Sequence, residues 1–115
     1  MTALIDGSNL VRFRDLEQGF KRRIRQKYGG RCLYCGRSPS ELLEMGRSLT
    51  EAKITCDHIR PRSKGGTEDE SNQAPACGHC NIRKENKNVW QWWLISGNFD
   101  LERAQILIEI MLGDR

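Results

Sequence analysis

The chain has 115 residues, 37% of them hydrophobic and 30% charged, with a formal net charge of +4. That length suits one domain, and the balance excludes both a disordered polar chain and, with no apolar run near the roughly 20 residues a membrane span needs, a transmembrane protein. Five cysteines in so short a chain point to a staple that supplements a modest core. The opening MTALIDGSNLVRF lacks the charged-then-apolar pattern of a secretory leader, so a cytoplasmic, non-secreted protein with no membrane contact is expected. In a reducing compartment, cysteines arranged as Cys-x-x-Cys read as metal ligands rather than disulfides.

Residues 1–10 show no periodicity, and Gly7-Ser8-Asn9 reads as a loop that could cap the first helix. Phe13, Leu16, Phe20 and Ile24 recur at helical spacing while Arg12, Lys21, Arg22 and Arg25 fall elsewhere, which predicts a helix over 11–28 stopped by Gly29 and Gly30. RCLYCG, residues 31–36, is a tight knuckle whose Gly36 permits the turn that aims two thiolates at one ion. Ser38, Pro39 and Glu41 stand at the cap, first and third positions of a short helix that Gly46 ends. The segment up to Lys53 gives no clear signal.

Residues 54–59 predict a strand, with its partner following a loop over 61–72. Cys77 to Cys80 form a second knuckle, and a helix is expected over 81–86. Two more helices follow, over 88–95 and 101–112, separated by Gly97. Asp100 caps the second, and Leu101, Ala104, Leu107, Ile108 and Met111 form its expected buried stripe. Trp90, Trp92 and Trp93 are expected to pack these helices onto the core.

Cys32, Cys35, Cys77 and Cys80 have the ligand number and spacing of a tetrahedral four-cysteine zinc site. Four protein ligands leave no open position, so this zinc is structural. His79, between two ligands, is expected to point away from it, and Cys56 to be a small core residue on the sheet face opposite Asp57. The two knuckles also draw Asp57, His58 and Asn81 towards one another. Carboxylate and amide oxygens suit Mg²⁺ or Mn²⁺, and a neutral imidazole can take a proton from water at pH 7. Taken singly, each of the three reads equally as a cap or hydrogen-bonding residue. Basic residues concentrate at 21–27 and 60–64, which suits a polyanion or simply a solvated face.

The order C-L-Y-C-G, C-D-H-I-R-P-R-S-K-G-G, Asn72, C-G-H-C-N-I-R-K resembles the HNH endonucleases, in their four-cysteine, zinc-stabilised branch with Asn as third motif letter. The likeness covers about 31–84, and the tail is more weakly similar to those of small phage and bacterial members. It implies an α+β fold: a ββα-metal, treble-clef-like core flanked by N-terminal and C-terminal helices. The expected organisation is one nuclease domain over 1–115, with an N-terminal helical segment over 1–30, the zinc-stapled core over 31–88 and C-terminal helices over 89–115.

The resemblance also implies metal-dependent hydrolysis of DNA phosphodiester bonds, leaving 5′-phosphate and 3′-hydroxyl ends, in a nicking, homing or packaging setting. His58 matches the family's general base, Asp57 and Asn81 the ligands of the catalytic Mg²⁺ or Mn²⁺, and Asn72 the residue that fixes the loop between the strands. Arg60, Arg62, Lys64 and Lys84 are then placed to meet DNA phosphates. Asn81 departs from the more familiar His, and Pro75 stands where an apolar strand residue is usual, so the second strand is expected to end early. The alternatives are a zinc-dependent nucleic-acid-binding module without catalysis, which has no need of Asp57, His58 and Asn81 together, and a zinc-ribbon interaction module with the tryptophans as docking surface.

Overall fold

The computed structural model describes residues 2–3 and 11–115, with side chains from residue 15 onward; the loop expected at Gly7-Ser8-Asn9 lies outside the described residues. The described elements are β1 (Thr2–Ala3), β2 (Val11–Arg12), α1 (Phe13–Arg25), α2 (Pro39–Glu44), α3 (Leu49–Ala52), β3 (Ile54–His58), β4 (Gln73–Cys77), α4 (Gly78–Lys84), α5 (Val89–Ile95) and α6 (Leu101–Met111). β1 pairs antiparallel with β2, and β3 with β4 in the register Ile54 to Cys77 and His58 to Gln73. The arrangement of β3, β4 and α4 is a ββα-metal core. No described helix is long and apolar enough to cross a membrane.

Several boundaries differ from the sequence reading, for physical reasons. α1 begins at Phe13 because Val11 and Arg12 are taken into a strand pair. Along its expected stripe Ile24 is fully buried while Leu16 is 62% exposed, since the helix meets the sheet through its C-terminal half. The segment that gave no clear signal contains α3, opened by a reciprocal cap: Glu51 N donates to Ser48 Oγ at 3.2 Å and Ser48 N to Glu51 Oε1 at 3.1 Å. Ser38 and Glu41 form the same box at α2, as expected.

β4 runs through Pro75 rather than ending early. In an antiparallel pair every second residue exchanges its backbone bonds with the partner strand. Ile59 N donates to Asn72 O and Gly78 N to Lys53 O, and stepping two residues from either bond leaves Pro75 opposite Cys56 in a position that needs no N–H. Its carbonyl faces outward and accepts from Leu33 N at 2.9 Å, docking the first knuckle on the strand.

The core lies between this sheet and the C-terminal helices. Tyr34 is fully buried, edge-on to Trp92 and Trp93 with centroids 5.3 Å and 5.4 Å away. Trp93 Nε1 donates to Tyr34 O at 2.8 Å, and Arg103 Nε to Leu33 O at 2.8 Å. Through these bonds α5 and α6 cap the first knuckle, and the tryptophans pack inward as expected. The Arg103 contact also rotates α6: Ala104, Leu107 and Ile110 are buried, whereas Leu101, Ile108 and Met111 of the expected stripe are 79%, 40% and 44% exposed. Trp93→Ala removes the ring contacts with Tyr34, Trp90 and Phe99 and the indole bond, and is expected to cost about 3–5 kcal/mol of stability, read as a lower urea midpoint.

Candidate nuclease site

The four expected zinc ligands converge. The sulfurs of Cys32, Cys35, Cys77 and Cys80 all lie within 4.8 Å of one another. Tetrahedral Zn–S bonds of about 2.3 Å require sulfurs roughly 3.8 Å apart, so the cluster is of the right size. Each knuckle turns in the same way, with Cys35 N directed at Cys32 Sγ and Cys80 N at Cys77 Sγ, both at 3.4 Å. Burial pushes the Cys32 thiol well above the ordinary cysteine range, while sulfur-to-sulfur hydrogen bonds, chiefly with Cys32, pull Cys35 and Cys77 below it. A divalent cation is the natural partner for four sulfurs so placed. His79 turns outward, its Nδ1 3.2 Å from Glu51 Oε2 and its Nε2 accepting from Arg83 Nε at 3.0 Å.

Asp57, His58 and Asn81 line one cleft of about 450 Å³ between β3, α4 and the 61–63 turn. Asp57 is only 4% exposed. Tyr34 Oη donates to its Oδ2 at 2.7 Å and Lys84 Nζ lies 3.2 Å from the same oxygen, while Lys84 also donates to His58 O at 2.9 Å. Burial raises the Asp57 carboxyl above its ordinary value, and the Lys84 ammonium opposes that rise. Lys84 therefore corrects the sequence reading: it is fully buried against Asp57 and does not face a phosphate. Asn81 Nδ2 donates to Thr55 Oγ1 at 2.9 Å, which leaves the amide oxygen as its free end.

Glu68 is a site residue that the sequence reading missed. Its Oε2 lies 2.8 Å from His58 Nε2, and Arg62 grips the same carboxylate twice, Nε at 2.7 Å and a terminal nitrogen at 2.8 Å. The Arg62 bonds hold the Glu68 carboxyl down at about 2. An ionised carboxylate only accepts hydrogen bonds, so His58 Nε2 is the donor in this pair, and in the neutral ring the lone pair falls to Nδ1. Because Arg62 is spent on Glu68 and Arg60 Nε donates to Lys64 O at 2.6 Å, two of the expected phosphate ligands are engaged within the loop.

Asn72 closes that loop. Its Oδ1 accepts from Arg60 N at 2.9 Å, and its Nδ2 donates to Arg60 O at 3.1 Å and Thr67 O at 2.8 Å. The paired glycines are steric as well as conformational: Gly65 has φ +85°, and a Cβ on Gly66 would sit 1.8 Å from Arg60 O. Cys56 is not a core residue. It is half-buried between β3 and α1, its Sγ 3.6 Å from Lys21 O, because α1 covers that sheet face incompletely.

Residues 32–87 match the family model HNH endonuclease. This stretch is an HNH domain. Its two ends fall at the first knuckle and just beyond α4, so the matched segment contains the sulfur cluster, both strands and the shared cleft. No curated protein matches the chain.

Two measurements check the HNH site. Elemental analysis should give one zinc per chain, and Cys80→Ser should lose both the metal and the cooperative unfolding transition. In carboxyl NMR, Glu68 of the wild type should titrate near 2 and return towards the ordinary 4.5 in Arg62→Ala. The depressed value gives the sign: whatever the clasp contributes to stability is complete above 4.5 and is lost as the pH falls through about 2.

Proposed function

We propose that the chain is a metal-dependent DNA endonuclease that hydrolyses phosphodiester bonds with His58 as general base. The observation that carries this reading is the shared cleft: the Asp57 carboxylate, the His58 imidazole and the Asn81 amide line it together, beside Arg62, Ser63, Glu85 and Asn86. The 32–87 match to an endonuclease family supports it.

Asp57 and Asn81 fit a hard divalent cation, Mg²⁺ or Mn²⁺, because both offer oxygen and each is fixed from behind, Asp57 by Tyr34 and Lys84 and Asn81 by Thr55. When bound, such an ion neutralises charge on the phosphate and on the departing 3′ oxygen. The remaining work falls to the chain. His58 Nδ1 takes a proton from the attacking water, leaving an imidazolium whose Nε2–H stays on the Glu68 carboxylate. Glu68 thereby fixes both the tautomer and the ring plane, and the positive charge formed on the ring faces an anion. Asn72 holds the loop that carries Glu68 and Arg62 at its distance from β3. Lys64, on the outer side of the same loop, remains exposed to meet a phosphate.

The test is nicking or linearisation of supercoiled plasmid with Mg²⁺ or Mn²⁺. His58→Ala should lose about 10²–10⁴-fold in rate while zinc content and DNA affinity stay at wild-type values. Asn81→Ala should recover part of its loss as the metal concentration is raised, which His58→Ala should not. Glu68→Ala should lower kcat with little change in KM, and Glu68→Gln, whose amide oxygen still accepts from Nε2–H, should restore most of it. Wild-type cleavage by His58→Ala, in a preparation free of contaminating nuclease, would return the chain to the zinc-dependent binding reading.

A further inference from the structure

α4 has two sides. One presents Asn81 to the His58 cleft; the other presents His79, Ile82 and Arg83 to a larger groove of about 910 Å³ that runs towards α2 and α5. Three arginines, Arg37, Arg47 and Arg83, and Lys87 line this groove. Among the described residues the side chains of Arg37 and Arg47 make no hydrogen bond, and Arg47 Nε is buried with no partner at all. Arg83 commits only its Nε, to His79, so its two terminal nitrogens stay available.

Neither acid in the groove makes an ion pair or hydrogen bond with the three arginines, although Glu51 lies near enough to Arg47 to feel its charge. Glu51 is held by the Ser48 cap through Oε1 and by His79 through Oε2, and Glu85 lies 3.5 Å from Lys87. A guanidinium desolvated on one side and unpaired is costly unless an anion completes it. Planar guanidinium forks match phosphate oxygens two at a time. Glu85 lines both the groove and the His58 cleft, so the two adjoin at the C-terminal end of α4.

We propose that this arginine groove is a second seat for nucleic-acid phosphates, holding the backbone that continues from the His58 cleft past Glu85. The proposal rests on the nucleic-acid reading above and extends it to a surface that neither the knuckle spacing nor the loop cations indicated. It also answers where the affinity comes from when Arg62 is paired with Glu68 at the surface and Lys84 is buried against Asp57. The contact is to backbone only, so it sets register and strength without reading sequence.

The experiment uses the full, zinc-loaded chain and a short duplex, with affinity measured across salt concentrations. Arg37→Gln, Arg47→Gln and Arg83→Gln should each reduce the log–log salt slope by about one unit, and the triple variant by about three. Hydrolysis of bis(p-nitrophenyl) phosphate, too small to reach the groove, should keep its wild-type kcat/KM in the triple variant, while plasmid cleavage suffers through KM. Glu85→Gln removes the acid on the shared wall and should tighten duplex binding, a gain that misfolding does not produce. A folded, zinc-loaded triple variant with the wild-type slope overturns the proposal, as does an unchanged affinity in Glu85→Gln. Loss of poly-glutamate binding with an unchanged DNA slope overturns it too, assigning the groove to an acidic protein. A wild type that cuts nothing but loses slope with the arginines sinks the nuclease reading and leaves the groove standing.

Discussion

Everything in the central segment depends on four sulfurs meeting within 4.8 Å across a span from Cys32 to Cys80. The apolar material nearby is thin: β4 contributes two alanines and a proline, and β3 one isoleucine. A sheet of two strands has little independent stability. The sulfur cluster compensates by fixing the first knuckle against β4 and the start of α4 at once. Once the knuckle is fixed, its carbonyls become receptors: Leu33 O takes Arg103, Tyr34 O takes Trp93, and the C-terminal helices dock. Packing is thus downstream of the sulfur cluster, and for a four-cysteine site of this kind the free energy of binding a metal is largely free energy of folding.

The second constraint is the buried ion pair. Taking Asp57 and Lys84 out of water costs several kcal/mol per ion before any attraction is counted, and well-packed apolar residues in such a place are often as stable or better. Stability alone therefore does not explain the pair. Position does: Lys84 reaches from α4 to both Asp57 Oδ2 and His58 O, and Tyr34 reaches the same carboxylate from the knuckle. Two elements, α4 and the first knuckle, are pinned to two adjacent residues at the end of β3. The carboxylate and imidazole face the cleft with their backbones fixed from behind, and the polar network is satisfied, which rigidifies it.

Much of this was legible in the sequence, and the reasons differ by feature. The convergence of the four sulfurs was legible because x2 spacing beside glycine repeats twice, and the capping box of α2 because two residue types at fixed offsets satisfy known orphan groups. α3 escaped notice although Ser48 and Glu51 carry the same box, since four residues are too few for periodicity to register. The buried faces of α1 and α6 were misread because a stripe of apolar residues shows what a helix could bury, whereas its neighbours decide what it does bury. Pro75 was misjudged for a related reason: whether a strand position needs its N–H depends on register, and register belongs to the pair of strands rather than to either one.

The charged residues teach a harder lesson. Arg62, Lys84, Arg37 and Arg47 are alike in sequence, each a cation near a knuckle or a loop, and nothing local separates them. What separates them is whether a carboxylate arrives from elsewhere in the chain. Glu68 comes from the far side of the glycine turn to Arg62, and Asp57 comes from β3 to Lys84, but Glu51, which shares a groove with Arg47, bonds to a helix cap and to His79 instead. A cap that satisfies two backbone groups thus has an effect some distance away, because it leaves a guanidinium unanswered. The positive field of this small protein is set by which of its acids have prior commitments, so unanswered guanidinium groups line the groove behind α4, while on the loop Arg62 is paired with Glu68 and Lys64 stays exposed.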